Sequence, residues 1–241
     1  MGGFLRFLAW FALLVAGFVL VALPLLLSPL LSGMVRDMGI RAATLDVSVA
    51  LFDPGLLLGR SRQVTIVADG IDVAPAQVGH LRLALGDASY FDRSFATISG
   101  EMSDVSVSVG RDTVSATSIN VAGPADAAIV TAHMAAPEVE RLVRLATSRN
   151  GLDLDDVRVS DAGVRVTLRG VQADGRLVVH GGALLLEPGF GGAVVLLQPS
   201  PSDPWSLTDA WFSDQGLNVS AIVNVRRIVR SLSVAGPGVP D

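Results

Sequence analysis

The pattern of hydrophobic and polar positions divides the chain into an apolar lead and a longer alternating remainder. Residues 7–35 contain no charged side chain and consist mostly of Leu, Val, Ala and Phe. At about 1.5 Å per residue, a helix through this run would cross a hydrocarbon core of about 30 Å. Apolar runs of more than about 18 residues are rare outside membranes. We therefore predict a transmembrane helix here, with a buried helix of a soluble core as the alternative.

The lead is interpreted as an uncleaved anchor rather than a cleaved signal. Its apolar core is long, and no Ala-x-Ala site follows it, since Leu20, Val21 and Ala22 match such a site poorly. The bias of basic residues is weak, and a short N-terminal flank is expected to stay inside. This predicts residues 1–35 as a membrane anchor or signal segment of a single-pass protein whose domain lies on the extracytoplasmic side.

Two prolines, Pro24 and Pro29, permit a second interpretation of the end of the lead. Ser28 is a suitable N-cap, Pro29 suits the first helical turn, and Gly39 suits the C-terminal stop. This predicts a short amphipathic helix that joins the membrane to the domain. The candidate lipid-contacting residues on its apolar stripe are Leu31, Met34, Val35 and Met38.

From residue 44 onward the hydrophobic pattern has the period of a β-strand. In residues 44–51, for example, Leu45, Val47 and Val49 alternate with polar or small residues. Short linkers rich in Asp, Gly and Pro predict hairpins and a mostly antiparallel sheet. Further strands are predicted at residues 63–73, 81–85, 105–109, 113–121, 156–160, 164–171, 176–180, 183–187, 193–198, 205–213 and 217–225, with a weaker stretch at 90–98.

One helix is predicted inside this region, at residues 137–150. Pro137 and Glu138 favour its first turn, and Asn150 with the following glycine favours its end. The fold class is therefore α+β, with a β-rich domain at residues 36–234 and a disordered tail at 235–241. The apolar stripe of the helix gives candidate lipid-lining residues, for which a closed core is the alternative: Val139, Leu142, Val143 and Ala146.

Composition and charge exclude several classes of function. The net charge is −5 and the basic residues are few and scattered, so no nucleic acid partner is expected. The absence of Cys excludes disulfides, a thiol nucleophile and Cys-based metal sites. His80, His133 and His180 have no neighbours at metal-ligand or triad spacing. No metal, cofactor or catalytic residue is predicted, and an envelope hydrolase remains a third hypothesis that requires a nucleophile beside a base.

Three other clusters are interpreted without a specific ligand. The acidic residues from Asp153 to Asp161 lack the spacing of a calcium loop. The glycines at 189–192 lack the Lys of a phosphate loop and are interpreted as a hairpin. Arg226, Arg227 and Arg230 are interpreted as a solvated basic face, with anionic head groups as the alternative partner.

The order of these segments resembles the LmeA-like phospholipid-binding family of bacterial envelopes. The resemblance rests on the apolar, glycine and turn patterns of residues 44–49, 56–59, 64–73, 132–142, 157–166 and 207–219. It implies an exported, membrane-associated protein that binds phospholipid or another acyl-chain lipid. It also implies a long, twisted sheet wrapped against one or two helices, similar to the lipid-transfer fold of bactericidal/permeability-increasing proteins. The region after the lead departs from the family, because it is short and broken by Pro29.

Two functional hypotheses follow. The first is a membrane-tethered, non-enzymatic phospholipid-binding or lipid-transfer protein of the bacterial inner (cytoplasmic) membrane, with acyl chains held between sheet and helix. The second is a structural or scaffolding β-domain that binds envelope protein partners, which requires a contiguous exposed apolar patch.

Overall fold

The structure is a computed structural model that describes residues 42–49, 53–73, 76–89, 91–92, 94–109, 112–189, 192–213 and 216–228. The predicted transmembrane helix, the amphipathic segment with Leu31, Met34, Val35 and Met38, and the predicted tail all lie outside these ranges. Among the described residues, no helix combines the length and the apolar character that crossing a bilayer requires.

Thirteen strands, one long α-helix, one 3-10 helix and a helical turn at residues 225–228 make up the described fold. Their bounds in chain order are β1 Thr44–Val49, the 3-10 helix Pro54–Leu58, β2 Arg60–Val73, β3 Ala76–Ser89, β4 Thr97–Val109, β5 Asp112–Pro124, β6 Ala128–Ala135, α1 Ala136–Arg149, β7 Asp156–Ser160, β8 Gly163–Leu168, β9 Val171–His180, β10 Ala183–Pro188, β11 Val194–Leu197, β12 Trp205–Ser213 and β13 Gly216–Val223. The predicted sheet-dominated α+β class, with antiparallel pairing, is confirmed.

The strands form two sheets, whereas the sequence predicted a single one. The large sheet has eight strands in the order β1-β2-β3-β4-β5-β6-β13-β12, and the small sheet has five in the order β11-β10-β9-β8-β7. The small sheet and α1 are thus inserted between β6 and the last hairpin, which returns to pair with β6. Periodicity identified the strands, but it carries no information about which strands become neighbours.

Helix α1 confirms the prediction at 137–150 and joins the two sheets. Glu138 accepts a hydrogen bond from the backbone N–H of Ser115 in the large sheet (3.3 Å). Glu140 accepts one from the backbone N–H of Val159 in the small sheet (3.1 Å). Both carboxylates lie in the first turns of α1, where the helix dipole favours negative charge. The buried hydroxyl of Thr147 donates back to the Val143 carbonyl.

The main core lies between the small sheet, α1 and one face of the large sheet. Leu184 of the small sheet, Val143 of α1 and Leu217 of the large sheet are at most 1 % exposed and belong to this cluster. The face of the large sheet that carries Leu217 is called the inner face below. Helix α1 contacts β5, β6 and β13, and β12 contacts β9 and β10, so this half of the inner face is covered.

The strand register extends the inner face as an apolar surface across all eight strands. Residues directly opposite in neighbouring strands place their side chains on the same side of a sheet. One row of such partners is Val47, Ile66, Leu83, Gly100, Val121, Val130, Ala221 and Leu207. A second row is Leu45, Ala68, Leu81, Met102, Ile119, Ala132, Val219 and Ala210. The row between them lies on the opposite face and is mostly polar: Asp46, Val67, Arg82, Glu101, Asn120, Thr131, Ser220 and Asp209.

Candidate functional site

The middle of the inner face remains partly accessible although every side chain on it is apolar. The side chains of Leu81, Leu83, Met102 and Ile119, which we call the central apolar strip, are all half-buried. They come from β3, β4 and the part of β5 around Ile119, whereas Val114 and Ala116 of β5 pack against the main core. Partly accessible aliphatic groups aligned over three neighbouring strands provide an elongated apolar surface, which is suited to another hydrocarbon.

The predicted lipid-lining residues of α1 occupy a different place. Val139 and Val143 are fully buried, Ala146 is 6 % exposed, and Leu142 packs against the same cluster as a half-buried side chain. Val139, Leu142 and Val143 contact the main core between the two sheets, which is the position that the closed-core alternative describes. The central apolar strip was not singled out from the sequence, because its members became neighbours only through the register of β3, β4 and β5.

A cleft of about 510 Å³ lies at the end of the large sheet where β2 begins and β3 ends. Its walls come from the segment after β1, the loop between β3 and β4, and the turn after β13. The lining consists of Asp53, Pro54, Gly55, Arg60, Ser61, Arg62, Asp87, Ser89, Asp92, Ser94, Phe95, Ala96 and Arg226. Three arginines and three aspartates therefore contribute to one lining, and no two of these segments are adjacent in sequence.

Asp53 fixes the local backbone on one wall of this cleft. Its carboxylate accepts hydrogen bonds from the N–H of Gly55 (2.9 Å) and of Arg62 (2.6 Å), so it caps the 3-10 helix and holds the start of β2. Burial raises the pKa of the Asp53 carboxyl, but the hydrogen bonds from Arg62, Gly55 and Ser61 outweigh it and leave the pKa below its ordinary value of 3.8. Asp53 is therefore an anion at neutral pH whose charge is already satisfied by the protein.

Arg226 forms the opposite wall. One terminal nitrogen donates to the Phe95 carbonyl (3.3 Å), and the backbone N–H of Arg226 donates to the Ala125 carbonyl. Its Nε is buried and has no hydrogen-bond partner in the described part of the chain. An unsatisfied buried donor is costly, and more so on a charged group. The arginine was noticed in the sequence as part of a basic cluster, but its position in a cleft was not predicted.

Two large apolar side chains stand on the loops that line this cleft. Leu58 ends the 3-10 helix and is 73 % exposed, and Phe91 in the loop between β3 and β4 is 80 % exposed. The Phe91 ring lies directly over Gly59, where a Cβ would overlap it, and Gly59 adopts a positive φ of 68°. The glycine thus lets the two loops meet while Leu58 and Phe91 project outward.

The polar face of the sheet brings together residues that the sequence left apart. Asp69, His80 and Ser103 are successive cross-strand partners, and His80 Nδ1 lies 2.6 Å from Asp69 Oδ1. The hydrogen bonds from His80 and Thr44 hold the pKa of Asp69 below its ordinary value. Within the described ranges Ser103 makes no hydrogen bond to His80. The carboxylate therefore orients the imidazole.

The other two histidines lie apart from this pair. His133 Nδ1 is 3.2 Å from Asn218 Oδ1, and His180 is exposed at the end of β9. In the described part of the chain, no three His, Asp or Glu side chains are grouped so that they could hold a metal ion. Comparisons with protein-family models, with curated proteins and with solved structures found no match.

Proposed function

We propose that this chain is a membrane-tethered, non-enzymatic phospholipid-binding or lipid-transfer protein of the bacterial cell envelope. The observation that carries the proposal is the apolar inner face that runs across eight strands and stays partly accessible at the central apolar strip. The apolar lead at residues 7–35 would be the tether in the inner membrane, with the sheets on the extracytoplasmic side. The resemblance to the LmeA-like family, whose sheet is long and twisted, agrees with this arrangement.

The chemistry of the strip fits acyl chains. Each methylene that leaves water contributes about 0.8 kcal/mol, so two acyl chains need no charged group for strong binding. The strip belongs to two apolar rows in which no charged or hydrogen-bonding side chain interrupts the surface. Hydrocarbon therefore lies along the strip without leaving a polar group of the protein unsatisfied.

The test is photocrosslinking of the full chain reconstituted in vesicles that contain a phospholipid with a diazirine in its acyl chain. We expect labelled peptides to come from β3, β4 and β5. The Leu83→Arg variant, which places a charge on the strip, should lose most of this labelling. The matched control is Ser99→Arg, because Ser99 is exposed on the opposite face of neighbouring β4. Equal labelling of the two variants would contradict the proposal.

One observation favours the scaffolding alternative. Ile129 and Ile222 are cross-strand partners on the polar face and are 55 % and 44 % exposed, and Trp211 on the same face is 43 % exposed. Contiguous exposed apolar groups mark protein–protein contacts, and the Ile129–Ile222 pair would be the centre of such a contact. In-cell crosslinking from position 222 would then capture one defined partner, and Ile129→Arg would abolish the crosslink. Lipid crosslinking to the strip would be absent.

A further inference from the structure

The cleft at the β2–β3 end combines charges of both signs with an apolar rim. Three arginines (Arg60, Arg62 and Arg226) and three aspartates (Asp53, Asp87 and Asp92) line it. Leu58 and Phe91 project from the same two loops. We propose that this end of the large sheet docks on a phospholipid bilayer, with Leu58 and Phe91 inserted among the acyl chains and a zwitterionic phosphoethanolamine head group bound in the cleft. The inference rests on the proposed lipid-binding function and assigns the membrane contact to a specific end of the fold.

The balance of charge in the cleft selects the head group. The Asp53 carboxylate is already hydrogen-bonded to backbone N–H groups, which leaves Asp87 and Asp92 as the accessible carboxylates. A phosphodiester pairs with guanidinium groups through charge-assisted hydrogen bonds, and an ammonium pairs with carboxylates. The three arginines and three aspartates give the lining no formal net charge, so an anionic head group without an amine would add a negative charge that nothing balances. A zwitterionic head group pairs its phosphate with the arginines and its ammonium with the aspartates.

Arg226 supplies an independent indication that a polar ligand belongs here. Its Nε is buried without a partner in the described residues, while its terminal nitrogen is held by the Phe95 carbonyl. The guanidinium is thus fixed in orientation but has a donor left over. A phosphate oxygen in the cleft is the chemical group that would accept from it.

The rim has the geometry of a membrane anchor. A leucine and a phenylalanine that are about three-quarters exposed or more are unfavourable in water and favourable in the outer part of the hydrocarbon region. The chain enters β1 where Ala43 N–H donates to the Asp69 carbonyl, nine residues along β2 from Arg60. At about 3.3 Å per residue this is about 30 Å from the docking end. The docking end can therefore contact either the bilayer that holds the lead or a second bilayer, and docking is measured on both.

The experiment uses the full chain, whose lack of Cys allows single labelling sites. Leu58→Cys, Phe91→Cys and the control Val171→Cys each carry an environment-sensitive fluorophore. Val171 is matched because it is 59 % exposed and begins β9 in the other sheet. A nitroxide quencher on phosphatidylethanolamine is placed either in the host vesicles or in a second vesicle population. We expect quenching at positions 58 and 91 in at least one arrangement and none at 171.

Head-group crosslinking tests the cleft itself. Phosphatidylethanolamine with a diazirine on its head group should label the peptides that contain Arg60 and Arg62. Phe91→Ser should reduce this labelling about tenfold, because it removes one inserted aromatic side chain, and Arg226→Gln should reduce it without altering quenching at position 91. Because Phe91 is so exposed, Phe91→Ser is expected to fold normally, and Leu58→Ser provides a second variant.

The outcomes separate this inference from the proposed function. The inference would be overturned by quenching at positions 58 and 91 that is no stronger than at 171. It would also be overturned by stronger quenching at 58 and 91 when phosphatidylglycerol replaces phosphatidylethanolamine in the vesicles. Acyl-chain crosslinks to the central apolar strip would in that case still stand and uphold lipid binding. Docking at 58 and 91 with no crosslink to the strip would support the membrane contact and refute the lipid-holding role of the inner face.

Discussion

The two halves of the inner face of the large sheet have the same kind of side chain but different surroundings. On the β6, β13 and β12 side, Met134, Leu217 and Leu207 are buried against the small sheet and α1. On the β3 to β5 side, the leucines, methionine and isoleucine of the central apolar strip stay half-buried, although Leu83 packs against a small cluster with buried Ile98 and Val121. A sheet does not need an uncovered apolar surface for its stability, since burial is what stabilises it. The first surface stabilises the fold, and the second is the one that we propose binds a ligand.

The largest effect is expected in the covered half. Leu184→Ala removes a side chain that is 1 % exposed in the main core. It should lower the free energy of unfolding by about 3 kcal/mol, from lost burial and the cavity that remains. The measurement is urea denaturation of the full chain in mild detergent, followed by tryptophan fluorescence, since Trp205 packs against this core. If Leu184→Ala lost less free energy of unfolding than Leu83→Ala, the distinction between the covered and the accessible half of the inner face would be wrong.

Leu83→Ala makes the same chemical change on the central apolar strip and should cost less. Leu83 is half-buried, so about 1.5 kcal/mol is expected in the same urea titration. The variant should also bind less acyl-chain probe. Leu184→Ala should bind the probe normally when it is measured without denaturant, at a temperature where the protein is fully folded. If both variants lose stability equally and neither loses probe binding, the strip is ordinary core.

A third effect concerns the end of the sheet and depends on pH. Asp53→Asn should lower the free energy of unfolding by about 1 kcal/mol at neutral pH. The carboxylate accepts the two backbone hydrogen bonds with its two oxygens, whereas an amide has only one acceptor oxygen and no charge. The pKa of Asp53 is lower folded than unfolded, so the unfolded chain binds the proton first and wild-type stability falls as pH drops below about 3.8. The difference in free energy of unfolding between wild type and Asp53→Asn should therefore become smaller at acidic pH.

The control for this prediction is Asp174→Asn. Asp174 pairs with Arg165 at 2.8 Å, but its side chain is 77 % exposed. Exposed pairs contribute between about 0 and 1 kcal/mol, so the control should lose less stability than Asp53→Asn at neutral pH. Unfolding curves at neutral and acidic pH compare the two. A gap between wild type and Asp53→Asn that widens with acid would show that the carboxylate is not held by these bonds.

The smallest effect on stability is expected at the rim of the cleft. Phe91→Ser replaces a side chain that is 80 % exposed and should change the free energy of unfolding by less than about 0.5 kcal/mol. The same urea titration measures this change. A large loss of free energy of unfolding would mean that the Phe91 ring over Gly59 stabilises the loops and does not serve to contact an external partner.

Local structure was predicted well where the sequence pattern is local. Strand β12 was predicted with its observed bounds, and α1 within one residue, because alternation, Pro137 and Asn150 act through immediate neighbours. Strand β4 was predicted only at its second half, since Gly100 and the polar residues around it hide the alternation. Strand β6 was missed, because Ala, Thr and His at consecutive positions give no clear period of two.

The candidate sites could not be predicted because they depend on contacts between distant segments. The strip combines residues from three strands, and the cleft joins residues near positions 53, 92 and 226. Arg226 and Phe95 are 131 positions apart in the chain, yet share a hydrogen bond. The two-sheet arrangement likewise follows from β13 pairing with β6 as well as with β12, which leaves β7 to β11 in a separate sheet.

The strand order also sets the order in which the fold can assemble from its N-terminal strands onward. Strands β1 to β6 pair with their immediate predecessors, so they form a growing meander from local contacts, which favours fast folding. The main core cannot close at that stage, because Leu207 and Leu217 arrive only after the small sheet has been made. Until then Met134 and its neighbours face solvent on a nascent sheet. The last hairpin is therefore the step that ends the period of greatest risk of aggregation.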